Sequence, residues 1–321
     1  MDLIYTNARR ADLGALRAYA FDLSFGEDEN DFELMLGANE AVLEYGAFIY
    51  IEGTEYGGIV DGMRTSTVSD TVTYAGRTWH GLLNSKVISP DAGEGYLKVS
   101  GDANDILRML VSRMGLGALF AVEDVPSGIN ISKYQFHRYC KGYDGIRDML
   151  ADNGAKLKIV WRERSVYLSA EPIKDYSAIP VDGNTAPLSV EKYKNKVNHL
   201  IVLGRGELAE REIHHLYVDQ FERIGDVQYY TGLEEYIDTY ENTTTETTEE
   251  LLSEAKSRLR KLRDLDSAEI SINEDSSKVF DIGDIVGATE NRTGVSVSAA
   301  VAQKIVRINN GAVSIEYQAG G

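Results

Sequence analysis

Apolar and polar residues alternate one for one through Tyr19, Phe21, Leu23 and Phe25, and again through Phe32, Leu34 and Leu36. Between them lies an acidic turn over residues 26–31. Period two on both sides of a short polar loop predicts a hairpin with one buried face. The pattern repeats along the first third. Residues 47–51 read as an apolar strand, turned back by Glu52, Gly53 and Thr54 into residues 56–63. A further hairpin pairs 63–68 with 71–76 around Ser69 and Asp70. Trp79, Leu82 and Leu83 then mark a single helical turn.

The period changes in the middle third. Ile106, Leu107, Leu110, Val111 and Met114 recur at helical spacing behind an Asp102 N-cap, and Gly115 supplies a stop. A second helix is expected over 143–153, burying Ile146, Met149 and Leu150. Strand-like pieces at 119–122 and 134–139, and a hairpin of 156–161 with 166–170, complete an α+β module. Residues 176–187, with Pro180, Gly183 and Pro187, read as a linker. The last third returns to strands at 197–203, 212–218, 268–272, 285–288, 295–308 and 312–317. Asn309, Asn310 and Gly311 make the final hairpin turn, where Asn and Gly tolerate positive φ. Residues 238–248 are polar and threonine-rich and are expected as an exposed loop. Thr247 and Glu250 have capping-box spacing ahead of a helix over 249–264. The expected organisation is a strand-rich domain over 1–95, an α+β domain over 96–185, and a second strand-rich domain with one helix over 186–321.

Composition narrows the function. The chain has 321 residues, of which 43% are hydrophobic, enough for a sizeable core. Nineteen tyrosines against five prolines suit half-buried strands and wet interfaces. With 33 basic and 51 acidic side chains the formal charge is −18, which opposes tight binding to a nucleic-acid backbone. One cysteine, Cys140, precludes an internal disulfide, and a small buried side chain is the ordinary reading of it. The N-terminus lacks a signal-peptide core and no run has the length of a membrane span, so the protein is expected to be made in a cytoplasm without membrane insertion.

Candidate chemistry is sparse. The five histidines are His80, His137, His199, His214 and His215. The adjacent pair points to opposite faces of a strand, and no metal-ligand spacing is present, so no metal site is expected. Gly204-Arg205-Gly206 follows a strand, but the third glycine of a dinucleotide fingerprint is missing because position 209 is Ala; a tight turn is the preferred reading. Glu27, Asp28, Glu29 and Asp31 lack the spaced ligands of a calcium loop and read as a solvated hairpin tip. No catalytic, cofactor-binding or metal-binding residue is assigned, no cofactor is expected, and a large, well-patterned chain without a site points to assembly.

One stretch carries more information. Residues 281–321 include Asp281-Ile-Gly-Asp-Ile-Val-Gly-Ala, Thr293-Gly294-Val295, Lys304-Ile-Val-Arg-Ile and a closing Ile315-Glu-Tyr-Gln-Ala-Gly. This resembles the C-terminal barrel of siphovirus- and prophage-type tail hub proteins, which are similar in fold to the baseplate hub of T-even phages. Tyr56-Gly-Gly-Ile-Val-Asp-Gly and Gly76-Arg-Thr-Trp-His-Gly-Leu-Leu-Asn-Ser-Lys-Val-Ile agree with it. The resemblance covers nearly the whole chain and rests on turns and strand edges.

It implies a mainly β fold with an α+β insertion: two tail-tube-like β-barrel domains plus a small α+β module. It also implies a non-enzymatic homotrimer, a baseplate hub in a phage tail or phage-derived contractile particle. Three subunits with two barrels each imitate a six-fold ring, joining a hexameric tail tube or tube-initiator protein to a trimeric spike or central fibre. An acidic lumen would then have no affinity for passing DNA. Because the chain stops just after the barrel, cell-wall cleavage or receptor binding would reside in partner proteins. The competing expectations are a receptor- or carbohydrate-binding tail protein, marked by exposed aromatic stripes, and a cell-wall hydrolase, marked by activity that one Asp or Glu substitution abolishes.

Overall fold

The computed structural model describes residues 2–320 apart from 38, 41, 67, 69, 183–186, 194–195, 221–222, 246, 264–266 and 274–278. Ser69 of an expected turn, Gly183 of the expected linker and the terminal Gly321 lie outside the described residues.

The alternating segments form strands, and most of them belong to one sheet of thirteen strands. At its centre Tyr19–Gly26 lies between Asp31–Gly37 and the long strand Val295–Asn309, antiparallel to both. Outward from Asp31–Gly37 run Thr71–Thr78, Gly57–Thr65, Phe48–Tyr50, Leu3–Thr6 and Asp12–Leu16. On the other side run Ala312–Ala319, Ser267–Asn273 and Leu188–Glu191. The first and last thirds, expected as separate domains, therefore meet in a continuous ladder. Phe21, Leu23, Phe32 and Leu34 share one core with Val306, Ile308, Ile315 and Tyr317. The physical reason is that Tyr19–Gly26 and Val295–Asn309 would each leave an unpaired edge without the other.

Two features of the expected motifs are explained by close packing. Gly58 and Gly76 lie under the ring of Phe32, and a Cβ built on either would meet its Cε1 at 2.9 Å. The same Cβ would lie 2.2 Å from the Arg77 carbonyl oxygen at Gly58 and 1.9 Å from that of Ile59 at Gly76. The final hairpin turns through Asn310 (φ 51°) and Gly311 (φ 89°).

The α+β part has its own core. Helices α1 (Trp79–Asn84), α2 (Ala103–Arg113) and α3 (Gly142–Asp152) form there. Asp102 caps α2 through the Asn104 amide at 2.9 Å, as its position predicts. The hairpin Ala155–Arg162 with Ser165–Pro172 closes the unit, with Phe120–Val122 parallel to its second strand. Residues 136–139, expected in a strand, lie beyond Asn130–Gln135. The core reaches back past the expected boundary at residue 95: Phe48, Tyr50, Trp79, Leu83 and Ile88 belong to it. Trp79 stacks on Trp161 with ring centroids 5.0 Å apart, so the aromatic residues before residue 95 are shared with the module.

A third, smaller core lies inside the last third. His199–Leu203 pairs antiparallel with Ile213–Val218 and parallel with Ile237–Glu241, and α4 (Thr248–Arg263) covers them with Leu251, Ala255 and Leu259. The Thr247 hydroxyl accepts from the Glu250 amide at 3.2 Å, as the capping spacing predicts. The polar stretch expected as a loop at 238–248 is corrected in its first part: 237–241 is a strand, stabilised by the apolar neighbour it lines up with. The expected linker is corrected likewise. Val181 is buried and Val181–Asp182 runs parallel to Ile285–Glu290. Among the described residues no helix is long and apolar enough to cross a membrane.

Candidate functional site

The alternation that buries Phe21, Leu23, Phe32 and Leu34 turns the intervening side chains to the opposite face of the sheet. Register places them in rows. Arg307 lies opposite Asp22, Asp22 opposite Glu33, and Glu33 opposite Ala75. In the adjacent row Ile305 lies opposite Ser24, Ser24 opposite Asp31, and Asp31 opposite Arg77. This open face crosses the seam between the first and last thirds. Asp22, Asp31, Glu33, Asp61 and Glu316 sit on it against Arg64, Arg77 and Arg307. Arg77 grips Asp61 at 2.7 Å, Arg307 meets Glu316 at 2.9 Å, and Arg64 reaches Glu33 at 3.7 Å. The Arg77 hydrogen bonds hold the Asp61 carboxyl below its ordinary range. Partial burial pushes Asp31 up, with Glu29 and Glu33 adding to the effect. Burial also raises Asp22; Arg307 opposes this and Glu33 reinforces it. The surface is polar, crowded with acid and without a histidine or thiol.

Two buried ion clusters fix the sheet to the rest of the chain. Lys304 points inward, in register with Val306 and Ile308, and its side chain is 2% exposed. Its Nζ donates to Glu55 Oε1 at 2.7 Å and lies 5.8 Å from the Phe25 ring, 5.4 Å from Tyr56 and 5.8 Å from Tyr317. The cage of three rings and a carboxylate keeps the ammonium charged: burial opposes the charge, and Glu55 with the two tyrosines outweighs it. His80 of α1 stacks on Phe25 at 4.4 Å and approaches Glu55 at 3.6 Å. Burial drives its pKa down to about 4, against the pull of Glu55.

The second cluster involves the residues that open the stretch 281–321. Lys156 Nζ, on the hairpin of the α+β unit, donates to Asp284 Oδ1 at 2.7 Å and to Asp281 Oδ2 at 2.8 Å. Lys158 Nζ takes the other Asp281 oxygen at 2.8 Å. Asp284 also accepts from the Lys174 amide at 2.9 Å and the Asp281 amide at 3.0 Å. Burial raises Asp281, but the two lysines outweigh it and hold the carboxyl at about 2. The Asp-Ile-Gly-Asp motif is thus the docking point of the C-terminal strands on the α+β unit.

The histidines weighed for a metal are distributed as follows. His214 and His215 do face opposite ways: His214 Nε2 meets Glu212 at 2.8 Å, while His215 Nδ1 meets His199 Nε2 at 2.8 Å. His199 Nδ1 bonds Glu235 at 2.7 Å. This Glu–His–His chain joins two strands and the loop before Ile237–Glu241, so spacing along one strand could not reveal it. Among the described residues no group of three or more His, Cys, Asp or Glu is placed to hold a metal ion. Gly204-Arg205-Gly206 turns the chain, with the Arg205 carbonyl accepting from the Glu212 amide at 2.7 Å. The Glu212 carboxylate sits where a Cβ of Gly204 would be, only 2.7 Å away, a poor place for a phosphate. The Glu27–Asp31 turn is pinned from the C-terminal strand by Gln303, which bonds the Asp28 amide and the Glu29 carbonyl. Cys140 is half-buried, and burial pushes its thiol up.

No protein-family model matches the chain, and no curated protein sequence matches it. Solved structures do match over its whole length. A prophage MuSo2 tail protein from Shewanella oneidensis superposes with TM-score 0.61 at 11% identity, over 99% of this chain and 98% of that one. A tail protein from Neisseria meningitidis gives TM-score 0.58 at 13% identity, over 100% and 96%. A prophage tail protein from Listeria monocytogenes gives 0.54 at 13%, over 99% and 94%. The mainly β fold with its α+β part is the fold of these phage tail proteins, in keeping with the resemblance to tail hubs drawn from residues 281–321.

Proposed function

We propose that the chain is the structural hub of a phage tail or phage-derived contractile particle, a homotrimeric adaptor between a hexameric tube and a trimeric spike or central fibre. The observation that carries this reading is the seam between Tyr19–Gly26 and Val295–Asn309, which makes one sheet out of two strand-rich thirds. Each chain thus offers two strand-rich halves in lateral register, and three chains offer six. A closed ring built this way would present the open face with Asp22, Asp31 and Glu33 to its lumen. That face is polar and net acidic, five acids against three arginines, so DNA would slide past it without adhering.

The chemistry is mechanical. Ion clusters around Lys304 and Lys156 hold the sheet, α1 and the α+β unit in fixed relation, so force on one part is carried to the others. In this reading the two clusters are structural braces, their charged groups satisfied by one another. Reconstruction of the parent particle tests the reading. Three copies per tail at the junction of tube and tip are expected; six or twelve copies, or a neutral or basic lumen, would refute it.

A further inference from the structure

A groove of about 200 Å³ opens beside the first strands. Its floor is apolar, with Phe48, Ile59, Leu82 and Leu116, and its rim carries Arg10 and Lys86, while Arg77 at its edge is already paired with Asp61. No carboxylate lines it, which is unusual on a chain of net charge −18. Arg10 is held over the groove by its bond to the Ala118 carbonyl at 3.1 Å and by the Phe48 face at 5.0 Å. Among the described residues the Lys86 ammonium meets no carboxylate. Elsewhere the small third unit carries the opposite surface. Leu233 is 97% exposed and Val227 76%, within one loop, and the exposed acids Asp226 and Glu234 adjoin them in the chain. The turn under Leu233 is a short 3-10 segment, Gly232–Glu234, that places the side chain in solvent. A leucine so exposed on an ordered turn gains nothing by folding alone.

We propose that the Leu233 knob of one copy seats in the Arg10–Lys86 groove of the next. The groove has room for a branched aliphatic side chain, and its cationic rim complements Asp226 and Glu234. The second copy is the occupant because this chain carries both the acid-flanked apolar knob and the cation-rimmed apolar hole. Knob and hole lie on different parts of the chain, so the contact is head-to-tail, and head-to-tail contacts repeated by rotation close rings. The proposal rests on the hub reading only for the number of copies in that ring.

Sedimentation velocity on the full chain tests it. Wild type is expected to self-associate at micromolar concentration. Leu233→Asp and Lys86→Glu are each expected to weaken association by at least about tenfold, with unchanged thermal midpoints because both side chains are exposed. Glu234→Lys is expected to weaken wild type and to restore part of the loss in the Lys86→Glu background. Association of Leu233→Asp equal to wild type overturns the contact, as does a wild type that stays monomeric at roughly 100 µM, far above a micromolar constant. In the particle, three copies whose 227–234 loop lies away from the neighbouring groove overturn this contact alone. A different copy number overturns the hub reading instead.

Discussion

Replacing Lys304 by Met keeps the length of the side chain and removes its charge. Lys304 is 2% exposed and its carboxylate partner Glu55 only 14% exposed, so the substitution strands an anion in a site built around a cation. Removing one partner of a buried pair costs about 3–5 kcal/mol, because the remaining charge is desolvated without compensation. Loss of the ring contacts adds to this, since Nζ lies within 5.8 Å of three aromatic centroids. Against a typical stability of roughly 5–15 kcal/mol the loss is large. The double variant Lys304→Met with Glu55→Gln removes both charges and is expected to recover at least about 1.5 kcal/mol relative to the single change, because no ion remains buried. His80 reports the same event independently. With Lys304 gone, its lowering effect on His80 is lost while Glu55 stays at 3.6 Å, and the His80 pKa is expected to rise above its value of about 4. Chemical denaturation of the four proteins of the cycle, with imidazole titration by NMR, gives the answer. A Lys304→Met cost below about 1 kcal/mol, or a double variant no more stable than the single, would refute the claim that this ion pair is a closed electrostatic unit.

His80 also sets an acid limb. Its pKa is depressed to about 4 when folded, while the unfolded chain binds the proton near 6.5, so stability falls as pH drops from about 6.5 to 4. The loss reaches about 3 kcal/mol at the lower end, and His80→Gln should flatten that limb of the stability–pH curve. Asp281 acts at lower pH: its folded pKa of about 2 lies below the ordinary aspartate value of 3.8, so its contribution of roughly 2 kcal/mol is intact above about pH 4 and lost between 3.8 and 2. Asp281→Asn should remove that window. Asp284→Asn leaves Lys156 without a full countercharge in a site 1% exposed, and a loss of about 3–5 kcal/mol by chemical denaturation is expected. Gly76→Ala forces a methyl against the Ile59 carbonyl and the Phe32 ring; a cost above about 2 kcal/mol, or no soluble protein, is expected, and a near-neutral melt would contradict the packing.

The strands flanking the seam were legible because period two is written in Phe21, Leu23, Phe32 and Leu34, and the helices because Asp102 and Thr247 cap apolar faces at 3.6 spacing. What the pattern could not convey was partnership across the chain. Tyr19–Gly26 and Val295–Asn309 each announce a strand, but nothing local says that they meet. Ile237–Glu241 alternates polar residues and becomes a strand only because His199–Leu203 offers it an apolar partner. The ion clusters were hidden for a related reason: lysine and aspartate read as surface. Yet the signal was present, since Lys304 falls in the inward register of Val306 and Ile308, a position a solvated lysine would not take. The knob at Leu233 and the Glu235–His199–His215 chain depend on loops and neighbouring strands, where periodicity says nothing.

The seam has a consequence for biosynthesis. Lys304 lies opposite Phe25 in the ladder, 279 residues later in the chain. At about 5–20 residues per second, a ribosome needs roughly 15–55 s to travel that distance. Throughout that interval the nascent chain carries Tyr19–Gly26 with one side unpaired, an invitation to the same strand on a neighbouring polysome. Translation rate and nascent-chain chaperones should therefore govern the soluble yield of this protein more than its final stability does.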